Sequence, residues 1–197
     1  MKRIVFVFAL FCTLAFNLPA MAQNNYTDAK YLAGAVSVEN GMVVFTENFQ
    51  VPGKSQAEIL TALEAYTKSL LKADYNGVQS RITEITPETG IIAASLEQTL
   101  TFKSTNWILD TARCFFQLVF EAKDGEFNAT FRRIRYLYTP MDINGIDNTL
   151  TAEDWITDKN ALNKKGQLTK VGGKKFRFAT INRKNEIFAG ALQSVKQ

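Results

Sequence analysis

The chain carries 197 residues, 46% of them hydrophobic, with 23 Lys+Arg against 19 Asp+Glu and no histidine. Without histidine there is no Ser-His-Asp or Cys-His nucleophile and no imidazole base, and most zinc sites are removed, so Asp, Glu, Lys and Tyr chemistry stays open. The net charge of +4 falls to +2 once a leader bearing Lys2 and Arg3 is discounted (21 Lys+Arg against 19 Asp+Glu), too little to argue for nucleic acid or an anionic membrane as a partner.

That leader is the first element. Lys2 and Arg3 precede an apolar stretch from Ile4 to Phe16, and Ala20-Met21-Ala22 offers a small-x-small cleavage site. This is the layout of a secretory signal peptide, with an apolar run too short to span a bilayer. Cleavage after Ala22 is expected to leave 175 residues, enough for one domain with a substantial core, in the periplasm or outside the cell. Phe11 before Cys12 does not suit a lipoprotein site. Only Cys114 then remains, so no internal disulfide is possible. No later run reaches the ~18 apolar residues of a membrane helix.

Residues 23–34 are polar and without periodicity, and read as a flexible lead-in to a single domain over 35–197. Ala35–Val38 and Met42–Val51 flank Asn40-Gly41, which predicts a hairpin on a type I′ turn. Pro52-Gly53 stops the second strand. Ser55 with Glu58 is a capping box, and Ile59, Leu60, Leu63, Tyr66, Leu70 and Leu71 give the following helix an apolar stripe. Four strands are expected next: Val78–Thr86, Ile91–Lys103, Thr111–Lys123 and Phe127–Thr139. Their turns fall at Pro87–Gly90 and Asp124-Gly125. In the fourth, Phe127, Ala129 and Phe131 are in phase, but Ile134, Tyr136 and Tyr138 are one residue out, which predicts a β-bulge near Arg132-Arg133. A helix over about 152–163 capped by Thr151 and Asp154, a basic loop over 164–173, and a last helix over about 182–195 complete the chain. Long antiparallel strands need one face covered, so the order implies a two-layer α+β fold, a curved antiparallel sheet with helices on one face.

Several stretches resemble a known family. They are Gly41-Met42-Val43-Val44-Phe45 with Phe49 to Ser55, Arg133 to Tyr138, Thr151 to Ile156 with Ala161 to Lys164, and Lys175-Phe176-Arg177 with Glu186-Ile187-Phe188. The chain resembles exported proteins of Bacteroides-type bacteria known as a domain of unknown function with a TBP-like fold. The resemblance implies a β-α-β4-α order with C-terminal helices. It implies no activity, and the fold name is no argument for DNA binding.

Arg132, Arg133 and Arg135, with Arg113 on the neighbouring strand, form the densest basic cluster. With Tyr136 and Tyr138 they suit a carboxylate, a phosphate or an acidic glycan, since guanidinium forks grip such groups bidentately. The same arginines also fit an exposed strand face paired with Glu97 and Glu121. Phe115 and Val119 make the second sheet face partly apolar: a ligand or dimer surface, or ground covered by the Pro140–Leu150 loop or the last helices. Trp107 falls in a loop between two strands, either to stack on a ligand or partner or to plug the end of the core. Trp155 reads as core, and Cys114 as an inert packed thiol. Asp142, Asn144, Asp147 and Asn148 lack the terminal Glu of an EF-hand and read as a polar loop. No metal or cofactor is expected.

These residues favour a non-enzymatic binding or interaction module, a monomer or weak homo-oligomer. Its partner would be a small ligand or another cell-envelope protein, with no nucleic acid and no transmembrane segment in the mature chain. The alternatives are a hydrolase or isomerase built on Glu97 with Arg133 or Tyr136, and a structural envelope subunit associating through the Phe115 face.

Overall fold

The computed structural model describes residues 25–72, 77, 79–105, 107–138 and 149–197. The expected signal peptide and the 142–148 loop lie outside them. Strands β1 (Val38–Glu39) and β2 (Met42–Gln50) turn at Asn40-Gly41, whose φ angles of 51° and 79° are those a type I′ turn requires. Helix α1 (Gln56–Leu71) starts on its capping box: Ser55 N–H donates to Glu58 at 2.8 Å, and the Glu58 N–H to Ser55 Oγ at 3.4 Å.

A meander follows, of β3 (Arg81–Thr86), β4 (Ile91–Ser104), β5 (Leu109–Lys123) and β6 (Glu126–Leu137). The antiparallel sheet has the order β1-β2-β6-β5-β4-β3. A seventh strand, β7 (Thr149–Thr151), shares an edge of β6 with β2: β2 pairs along Glu126–Arg132, and β7 takes Arg135–Leu137. The sequence pattern gave no sign of it, because three residues are too few to show a period.

The predicted bulge is present. Gln117 faces Arg132 and Phe115 faces Arg135, so two residues of β6 stand against one of β5, with Arg133 in the left-handed region at φ 55°. The extra residue returns Ile134 and Tyr136 to the face already occupied by Phe127, Ala129 and Phe131, and all five are buried. That face meets Ile59, Leu63 and Leu70 of α1 and Ile187, Phe188 and Val195 of α4 (Phe178–Lys196) in one core cluster. Each such side chain contributes about 1.5–3 kcal/mol by leaving water.

Two expectations about the periphery change. The helix expected over 152–163 is two short ones, α2 (Ala152–Trp155) and α3 (Asp158–Ala161), because Thr157 is extended at ψ 160°. Residues 25–34 are packed rather than a free lead-in: Tyr31 is buried, and its hydroxyl donates to Asn182 at 2.5 Å. Both changes trace to Arg177, which is fully buried. Its guanidinium donates to the carbonyls of Tyr31 (2.7 Å), Ile156 (2.9 Å) and Leu32, and pairs with Asp158 at 2.7 Å. Side-chain periodicity carries no trace of a segment held by its main-chain oxygens. Arg177 ends a wide helical turn (Gly172–Arg177) that leads into α4. Gly173 is required there, since a Cβ would lie 2.6 Å from the Ala161 carbonyl oxygen.

Candidate functional site

The sheet face turned away from the core carries Arg132, Arg135, Phe115, Gln117, Ser95 and Glu97. Residues directly opposite one another in a ladder point to the same side. One row therefore runs Arg81, Ser95, Gln117, Arg132, and the next runs Glu97, Phe115, Arg135. Beyond β6, the ladder with β2 stops at Arg132 and that with β7 starts at Arg135, leaving a gap opposite Arg133 and Ile134. The result is a groove of about 520 Å³, walled by Met42 and Glu153 on one side and Gln79 and Arg81 on the other. Its volume lies within the range of small-molecule sites.

The charges in it divide into spent and unspent. Glu97 is only 4% exposed, and Arg113 Nε donates to its Oε1 at 2.6 Å. Arg113 is thereby consumed. Arg132 Nε donates to Gln117 Oε1 at 2.9 Å, and Glu153 accepts the Val43 N–H at 2.7 Å. By contrast, Arg81 and Arg133 have neither hydrogen bond nor ion pair to any described residue, and Arg135 only leans on the Phe115 ring, 5.7 Å from its centroid. Arg113 flanks the same ring at 5.2 Å. The groove thus holds an aromatic plate between guanidiniums, with three exposed cations, one carboxylate paired with Arg113 and one, Glu153, that keeps its charge while accepting the Val43 N–H.

The eight residues singled out by sequence do not form one site. Arg133, Arg135 and Phe115 line the groove, whereas Arg132 and Arg113 do not and instead hold Gln117 and Glu97, which do. Tyr136 and Tyr138 are a correction. The bulge that exposes Arg133 turns both tyrosines to the opposite face, where Tyr136 Oη lies 2.7 Å from Thr180 Oγ1 and Tyr138 donates to Asp110 at 2.8 Å. Burial pushes the Tyr136 hydroxyl well above the usual tyrosine range. Trp107 is 94% exposed at the β4–β5 turn, well outside the groove, and does not plug the core. Trp155 does pack inward, 5.1 Å from the Phe176 ring, and burial pushes the Cys114 thiol up, as an inert core cysteine requires. Arg81 escaped notice because only the sheet order brings it beside Ser95.

The family profile described as a domain of unknown function (DUF4468) with TBP-like fold matches residues 45–137. A crystal structure of a DUF4468 family protein from Bacteroides ovatus superposes with a TM-score of 0.77 at 32% identity, covering 86% of this chain and 95% of that one. This chain belongs to the DUF4468 family. A TBP-like protein from Parabacteroides distasonis shares the fold, with a TM-score of 0.66 at 21% identity, covering 82% and 97% of the two chains. No curated protein matches. The DUF4468 match takes in Arg81, Phe115, Arg133 and Arg135, and ends before β7, Arg177 and α4.

Proposed function

We propose that this DUF4468 protein is an exported, non-enzymatic binding module that holds an anionic ligand in the groove between Arg81 and Arg133–Arg135. The observation that carries the reading is the cation excess: Arg81, Arg133 and Arg135 share the groove with Phe115, while Glu97 is already paired with Arg113 and only Glu153, held by the Val43 N–H, opposes them. A planar oxyanion, whether a carboxylate, a phosphate or the uronate of an acidic glycan, accepts two N–H bonds from one such fork. Phe115 offers an apolar plate for the body of the ligand. Two charge-assisted bonds at a net of about 1.5–3 kcal/mol each correspond together to a Kd between about 40 μM and 6 mM. Export rests on the charged, apolar and small-residue pattern of residues 2–22.

Acid–base catalysis is less well supported. It needs a carboxylate free to move a proton, and Glu97 is buried against Arg113, while Tyr136 faces the other side of the sheet. The test is calorimetric titration and thermal shift with three probes: citrate, inorganic phosphate and trigalacturonate. At least one should bind and raise Tm, more weakly as salt rises, and Arg133→Ala with Arg135→Ala should remove the response. The responding probe separates small anions from an acidic glycan. Silence from all three at low salt would refute the proposal.

A further inference from the structure

Among the described residues, the β4–β5 hairpin reaches past the strands beside it. The β3 ladder leaves β4 at Ser95 and the β6 ladder leaves β5 at Arg113, while β4 and β5 stay paired to Ser104 and Leu109. Four residues at ~3.4 Å each put the tip about 13 Å beyond the end of β6. On it Trp107, Ile108 and Leu109 are 94%, 49% and 72% exposed, the most exposed run of large apolar side chains among the described residues. Two backbone groups of the turn are satisfied within it: Thr105 N–H donates to the Ile108 carbonyl at 2.9 Å, and the Ile108 N–H to Thr105 Oγ1 at 3.1 Å.

Just behind the tip the charge is cationic. Lys103 is exposed and stands opposite Asp110, and Lys175 neutralises Asp110 at 2.6 Å. The apolar area of three side chains, on the order of 400 Å², is half of what each partner of an ordinary protein interface buries. A narrow, convex tip with tryptophan at its apex and an exposed lysine behind fits a deformable medium better than a rigid partner. In a bilayer, tryptophan prefers the interface, lysines lie at headgroup level, and backbone groups must be satisfied internally.

We infer that the β4–β5 tip is a lipid-surface anchor: Trp107, Ile108 and Leu109 enter the interfacial layer of a bilayer, with Lys103 at the headgroups. The small net charge of the chain makes apolar insertion, not electrostatics, the main term. This anchor is independent of the arginine groove, which begins several residues further along β5.

The chain has two tryptophans, so Trp155→Phe leaves Trp107 as the sole reporter. The full chain with this change is mixed with vesicles of three parts phosphatidylcholine to one part phosphatidylglycerol, with and without brominated acyl chains. Trp107 emission should shift to the blue and be quenched by shallow bromines. Residues 4–16 are apolar in their own right, so the decisive comparison changes only the tip. Trp107→Ser with Leu109→Ser should lower sedimentation with unlabelled vesicles about tenfold or more, at unchanged Tm. Unshifted Trp107 emission would overturn the inference, as would equal partitioning of the tip variant. A concentration-dependent dimer lost on the same substitutions, without a vesicle response, would assign the tip to a second copy and overturn it too.

Discussion

Arg133→Gly separates what the bulge does for the fold from what its side chain does in the groove. Arg133 sits at φ 55°, where a residue with a Cβ loses roughly 1–2 kcal/mol relative to its normal regions. Glycine removes that strain but adds roughly 0.5–1 kcal/mol of backbone entropy to be lost on folding. The side chain is exposed and has no hydrogen bond or ion pair with a described residue, so its removal leaves nothing unsatisfied. The variant should therefore be as stable as the parent or up to about 1 kcal/mol more so. Urea denaturation at fixed m-value measures this. The same protein should bind the responding anion about tenfold more weakly, one charge-assisted bond fewer. A loss of more than about 1 kcal/mol would show that the side chain packs or pairs in the native state, and the account of the groove as a set of unspent cations would fail.

Three other substitutions probe the rest of the structure. Arg177→Met strands three carbonyls in a buried site and leaves the half-exposed Asp158 without its partner; it should cost about 3–5 kcal/mol by urea denaturation and expose residues 25–34 to protease, and a loss under about 1 kcal/mol would contradict the clamp. At Asp110, desolvation raises the carboxyl, but hydrogen bonds from Lys175 and Tyr138 outweigh it and hold it below the usual aspartate range. A depressed carboxyl stabilises the fold above its unfolded pKa and stops doing so as pH falls through the folded one. Asp110→Asn should thus cost about 1–2 kcal/mol at pH 7, with the gap to the parent closing as the solution is acidified below the aspartate range; a gap independent of pH would refute the sign. Phe115→Glu should abolish anion binding and leave the native mass by mass spectrometry unchanged, whereas dissociation of an oligomer would show the sheet face to be a subunit interface.

The long elements were legible because burial on one face leaves a period. The phase slip between Phe131 and Ile134 even located the bulge. The same slip sends Tyr136 and Tyr138 inward with Ile134, so grouping them with the arginines ran against it; adjacency in sequence misled where register decides. Arg81 and Arg133 lie 52 positions apart and meet only because β3, β4, β5 and β6 stand side by side. Arg177 and the anchoring of Tyr31 and Leu32 were illegible for another reason. Their partners are main-chain groups, which every residue possesses, so no residue type signals them.

Arg133 also sets a limit on how this chain tolerates change. The bulge is a count, not a chemical identity: β6 needs one more residue than β5 between Arg132 and Arg135. Any side chain that accepts the turn leaves that count intact, but a one-residue deletion would not. It would rotate Ile134, Tyr136 and Tyr138 toward water and drive Arg135 and Leu137 into the space beneath α4. The groove can be rewritten letter by letter, and it cannot be shortened.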